Sequence, residues 1–156
     1  MPALPWTEGL ELGLSFMDDT HKEFIELLAR AEAADDATLP AVWEELVAHT
    51  ADHFGREDEW MLATGFALGN CHSSHHKVVL QVLRDGLAKA ASGDMAPARQ
   101  MIKELAVWFP QHAQTMDAAL ALHLRGLGYD PETGEVLDAS ALPAEAISGC
   151  GGSSCS

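Results

Sequence analysis

Seven residues of this 156-residue chain are candidates for holding metal by type, and four of them also by spacing. His53 and Glu57 stand four apart, and so do His72 and His76. At 3.6 residues per turn, each pair projects from one face of a helix. Gly65, Gly69 and Asn70 lie between the pairs and read as a break, so a helical hairpin would turn the two pairs toward each other. Imidazole with carboxylate suits iron, zinc or manganese rather than calcium. His21 lies earlier and His112 and Asp117 later, which makes five histidines and two carboxylates on four candidate helices. A single His-x-x-x-His would carry little weight, since a lone histidine on an apolar helix face is more often a packing residue. His112 and Asp117 pose a separate difficulty. Five residues turn an ideal helix by about 140° beyond a full turn, so spacing alone does not put them on one face. His49, one turn before His53, could compete for its register. His75 points about 100° away from His76 on an ideal helix, and His123 reads as surface; all three are expected to stand outside the site.

The elements that must position these residues can be read in outline. Residues 1 to about 16 form an arm broken by Pro2, Pro5, Gly9 and Gly13, with Trp6, Leu10, Leu12 and Leu14 to lay against a body. A first helix is expected from about Asp18 to Ala34, with Asp18 and Asp19 at its positive end. A second starts near Thr38 or Leu39, takes Pro40 in its first turn and ends at Gly65. A third runs from about Asn70, a plausible cap, to Ala91, with Gly86 an unfavourable interior residue. A fourth spans about Met95 to Leu124, with Pro97 in its first turn and Pro110 in its interior. Proline there removes a ladder hydrogen bond and kinks the helix two residues before His112. Short connections favour an all-α, up-down-up-down four-helix bundle over residues 1–125, preceded by the arm. Residues 126–156 carry five acidic and no basic residues and read as a flexible tail. Its Cys150 and Cys155 read as part of an inert end, with a disulfide or a metal site as the alternatives. Cys71 reads as a thiol neighbour of His72 or a small buried residue.

Composition narrows the function classes. The formal charge is −15, from 9 basic and 24 acidic residues. That balance argues against nucleic acid, whose phosphates attract Lys and Arg, and against an anionic membrane surface. No stretch approaches the roughly 20 apolar residues of a membrane span. The first fifteen residues lack the basic and apolar regions of a signal peptide, so a cytoplasmic location is expected. Three cysteines do not suggest a disulfide-stapled secreted fold.

The ordered set His21, His53-Phe54-x-x-Glu57, His72-x-x-x-His76 and Trp108-x-x-x-His112-x-x-x-x-Asp117 resembles the hemerythrin family, and more closely the bacterial single-domain hemerythrins. The likeness runs from about Leu4 to about Leu124. It implies two oxo- or hydroxo-bridged iron ions. His72, His76 and His112 would hold one, His21 and His53 the other, and Glu57 and Asp117 would bridge both. The second iron would keep an open position for dioxygen. Phe24, Ile25 and Trp108, one turn from His21 or His112, are expected to line an apolar oxygen pocket. Thr20 and Asp58 depart from residues common in the family, and neither is expected to touch a ligand. The implied function is reversible dioxygen binding by a monomeric chain, for storage, sensing or delivery to an oxygen-using enzyme. The alternatives are a diiron peroxidase or nitric-oxide-handling enzyme, or redox handling through the terminal cysteines.

Overall fold

A computed structural model describes residues 3–149. It contains α1 (Ser15–Ala33), α2 (Leu39–Ala63), α3 (Cys71–Ala91), α4 (Ala96–His112), a five-residue π-helical segment (Ala113–Asp117) and α5 (Ala118–Leu127). The π segment joins α4 to α5, so the three form one long fourth helix. Each helix packs on the next and α4 closes on α1, which gives a four-helix bundle. The apolar stripes of all four meet inside it, around Phe24, Leu28, Trp43, Leu46, Leu83, Ile102 and Phe109. Among the described residues, no helix is long and apolar enough to cross a membrane.

Local chemistry accounts for the boundaries. Pro40 and Pro97 each occupy the first turn of their helix, where a missing N–H costs nothing. The Asn70 side chain accepts the Ser73 amide at 3.0 Å and caps α3. Gly65 has φ +100°, and a Cβ there would meet the Pro143 ring at 2.4 Å, so the break after α2 requires glycine. Gly86 is explained by close approach: a Cβ would lie 2.7 Å from Met101 Sδ and 3.3 Å from Trp43 Nε1. The missing side chain lets the Trp43 indole reach Leu83 O at 2.9 Å.

One starting point differs from the sequence reading. Helix α1 begins at Ser15, three residues before Asp18. The Asp18 carboxylate is turned to the arm instead, accepting the amides of Leu12 at 2.8 Å and Gly13 at 3.2 Å. Leu4, Leu10 and Leu12 are buried, so the arm packs along the bundle. At the other end, residues after α5 return to the body. Ile147 pairs with Phe66 in an isolated parallel bridge. Cys150 and Cys155 lie outside the described residues.

Candidate metal centre

All seven candidate residues converge at the bundle's centre, and all are buried. Helix α1 brings His21, α2 brings His53 and Glu57, α3 brings His72 and His76, and the fourth helix brings His112 and Asp117. Their ligand-type atoms form two overlapping groups, each within 4.8 Å: Glu57, His72, His76, His112 and Asp117; and His21, His53, Glu57 and Asp117.

The carboxylates divide their oxygens between the groups. Glu57 Oε1 lies 3.5 Å from His72 Nε2 and 3.4 Å from His76 Nε2, while Oε2 lies 2.6 Å from His53 Nε2 and 3.7 Å from His21 Nε2. Asp117 Oδ1 lies 3.0 Å from His72 Nε2 and 3.1 Å from His112 Nε2, and Oδ2 lies 3.2 Å from His21 Nε2. All five imidazoles therefore present Nε2 to the two central carboxylates.

The π segment solves the His112–Asp117 spacing. A π turn closes its hydrogen bond at i→i+5 rather than i→i+4. Residues five apart then stand roughly where residues four apart stand in an α-helix. The segment begins three residues after Pro110, which has no N–H to offer the turn before it.

Several inward atoms have no hydrogen-bond partner among the described residues: His21 Nε2, Glu57 Oε1, His72 Nε2, His76 Nε2, His112 Nε2 and both Asp117 oxygens. Buried polar atoms are nearly always paired, and each orphan costs about 1–3 kcal/mol. So many, converging on one volume, fit cations held by nitrogen and oxygen. Without metal, protons must compensate the carboxylates. Burial pushes Asp117 up, but the neighbouring His112, His21 and His72 overcome it and hold the pair well below the ordinary carboxylate value. Burial and Asp117 push Glu57 up in the same way, and His53 and His21 pull it well below its ordinary value. Burial disfavours a charged His21, yet the carboxylates of Asp117 and Glu57 beside it raise it to about 10. Burial likewise opposes His76, and Asp58 and Glu57 raise it to about 9. His53 is lowered, because burial outweighs the attraction of Glu57.

The surroundings correct one expectation. Asp58 does touch a candidate ligand: the Nδ1 of His76 lies 2.8 Å from Asp58 Oδ1. That contact fixes the ring and leaves Nε2 facing inward. The adjacent position to Glu57 gave no hint of it, since residues i and i+1 diverge by about 100° and the contact forms across helices. Thr20 behaves as expected, spending its hydroxyl on Phe16 O at 3.0 Å. Aromatic rings close the site. Phe54 stacks on His76 at 4.0 Å, Trp108 stacks on His112 at 4.5 Å, and Phe109 meets His21 edge-on at 5.1 Å. Phe24 stacks on Phe109 and reaches the site through it; Ile25 is packed in the same core. Phe54 was legible only within the His53-Phe54-x-x-Glu57 pattern and Phe109 was not singled out, because the role of each depends on which ring it meets.

His49 pairs with Glu23 at 3.0 Å, His75 is exposed, and His123 contacts Thr64 O at 2.8 Å, so none of the three joins either group. Cys71 is buried, as one of its two readings expected, and it is disulfide-bonded, which corrects the other, a thiol neighbour of His72.

Residues 12–122 match the family described as the hemerythrin HHE cation binding domain. The chain belongs to the hemerythrin family. This hemerythrin is 37% identical over 130 residues to a bacteriohemerythrin of Ralstonia nicotianae, covering 83% of this chain and 95% of that one. It is 26% identical over 125 residues to a bacteriohemerythrin of Stenotrophomonas maltophilia, covering 78% and 81%. It is 25% identical over 122 residues to one of Pseudomonas aeruginosa, covering 76% and 79%. No solved structure matches it. Family and buried cluster together make this a non-haem iron site of the hemerythrin kind.

Proposed function

We propose that this hemerythrin binds dioxygen reversibly at a two-iron centre bridged by Glu57, Asp117 and an oxo or hydroxo group. The observation that carries the reading is the division of carboxylate oxygens between two unequal sets of imidazoles. Three imidazoles, His72, His76 and His112, serve one metal, and two, His21 and His53, serve the other. The set with two imidazoles would leave room for an outside ligand. Iron held by these residues would supply the redox chemistry that dioxygen binding requires.

The chain's own residues favour reversibility. Neutral imidazoles leave more positive charge on the metals than carboxylates do, which stabilises the ferrous state. Ferritin-like oxidases have the opposite ratio, with four or so carboxylates to about two histidines. His21, Glu57 and Asp117 are 0% exposed, and Phe109 and Phe24 put apolar surface behind His21, so water and its protons are kept away. Asp58 and Trp108 hold the planes of His76 and His112. The cellular use is storage, sensing or delivery of dioxygen.

The test is iron content together with the visible spectrum of ferrous protein, before and after air. About two irons per chain and an oxygenated band that disappears under argon are expected. Immediate conversion to a stable ferric form, with turnover of peroxide or nitric oxide, would replace the carrier with a diiron enzyme. Zinc, or no metal, would overturn the ligand assignment.

A further inference from the structure

Beside the metal centre lies a second feature, built from the tail. A cavity of about 120 Å³ is lined by Phe66, His72, Met116, Leu120 and His123 of the bundle, and by Ile147 and Gly149 of the tail. Its volume suits a few waters or a diatomic ligand. One wall is His72, whose Nε2 stands 3.0 Å from Asp117, so the cavity abuts the candidate centre. The tail forms the opposite wall and is held there by three backbone hydrogen bonds. Ile147 N donates to Gly65 O at 2.9 Å, Ala67 N donates to Ile147 O at 2.8 Å, and Cys71 N donates to Ser148 O at 2.8 Å. Pro143 seats against the side-chain-free face of Gly65.

The covalent restraint lies at the same place. Cys71, the residue before His72, is disulfide-bonded. The chain's other cysteines are Cys150 and Cys155, one and six residues past Gly149. A disulfide anchored at Cys71 acts as loop cross-links do, by removing the entropy of the open state. Left with three hydrogen bonds and a half-buried Ile147, the segment belongs to the class of elements that open locally at small cost.

We propose that Pro143–Gly149 is a thiol-controlled lid over a side entrance to the metal centre, closed while the Cys71 disulfide is intact and released by a dithiol reductant. A thiolate of the reductant attacks the disulfide, and the S–S bond breaks. Cys71 and its partner leave as two thiols, having taken two electrons and two protons from the reductant, which closes to its own disulfide. The lid itself rests on geometry alone, and its effect on ligand entry rests on the two-iron reading.

Two measurements test it. The first is hydrogen exchange of the metal-free protein with and without dithiothreitol. Reduction should speed exchange at Ala67, Cys71 and Ile147 by about tenfold or more and leave the interior of α2 unchanged. Unchanged exchange at those three amides would overturn the lid. The second is the rate of azide binding to ferric, iron-loaded protein without reductant, in wild type, Cys71→Ser and a chain ending at Leu142. Both variants should bind azide several-fold faster than wild type. Equal rates in all three would overturn the entrance, even if exchange had shown the lid opening. Iron content of the same samples separates a failure of the metal reading from a failure of the lid.

Discussion

The two pairs His53–Glu57 and His72–His76 and the pair His112–Asp117 reach the same centre by different backbones. The first two sit four apart on regular α-helix, and their convergence follows from 3.6 residues per turn. The third is five apart and converges only because residues 113–117 are wound as a π turn. The difference teaches where local periodicity suffices. A helix with ordinary winding aims its side chains by spacing, whereas an inserted residue can be absorbed only if the packing on both sides holds the register.

Shortening each segment by one residue should separate the two cases most sharply. Deleting exposed Gly55 from α2 puts Glu57 out of line with His53 and rotates buried Trp60 and Met61 away from the core. Loss of both irons and a large drop in Tm are expected; two irons retained would show that α2 does not position the pair by its winding. Replacement of a shared carboxylate comes next. Glu57→Ala should lose the two-iron centre, and Asp117→Ala should do the same despite its different backbone. Two irons with an unchanged spectrum in either variant would remove that residue from the bridge.

A smaller effect is expected one contact further out. Asp58→Asn weakens the hold on His76 Nδ1 and should lower iron affinity by about 10–100-fold without unfolding the bundle. Unaltered affinity in a chelator competition would reduce Asp58 to a surface residue.

Acidity distinguishes the proton-held from the metal-held cluster. In metal-free protein, His21 at about 10 and His76 at about 9 lie above their ordinary 6.5. Their stabilising contribution is complete below about 6.5 and is lost as pH rises through 9 to 10. Glu57 and Asp117 lie below their ordinary 4.5 and 3.8, so their contribution is present above those values and is lost as pH falls. Tm of the metal-free protein should therefore peak between about pH 4.5 and 6.5 and fall toward pH 10, while iron-loaded protein keeps its Tm on the alkaline side. A flat metal-free profile from pH 6.5 to 10 would mean that the imidazoles are not proton-bound in the cluster.

The smallest effect belongs to the π segment. Removing exposed Thr115 should convert it to regular α-helix, leave His112 and Asp117 four apart on one face, and keep both flanks in register. Iron content near that of the parent and an equal or higher Tm are expected. Complete loss of iron would show that the wide turn itself sets the position of Asp117.

The bundle was legible because its signals are local. Prolines at first turns, Asn70 as a cap, Gly65 at the break and apolar stripes all act within a few residues of themselves. The seven residues that meet at the centre were legible as a set because most repeat at helical spacing, and the likeness to hemerythrins supplied the rest. Less visible was anything that depends on two distant stretches meeting. Asp58 looked uninvolved beside Glu57, and only the packing of α3 on α2 puts it against His76. Cys71 read as a thiol neighbour of His72 or a small buried residue, and nothing in its local sequence marked it as disulfide-bonded. The tail's polar composition gave no sign that Ile147 would bond to the backbone after α2.

Sequence by itself thus determined four amphipathic helices, their breaks and the histidines and carboxylates they carry, because each follows from backbone winding and side-chain chemistry over short range. Only the tertiary structure decided which carboxylate oxygen faces which imidazole, that a π turn brings Asp117 into line, and that the tail returns to cover His72. Those outcomes depend on helices packing against one another around a buried polar cluster, where the cost of leaving a nitrogen or oxygen unpaired selects one arrangement.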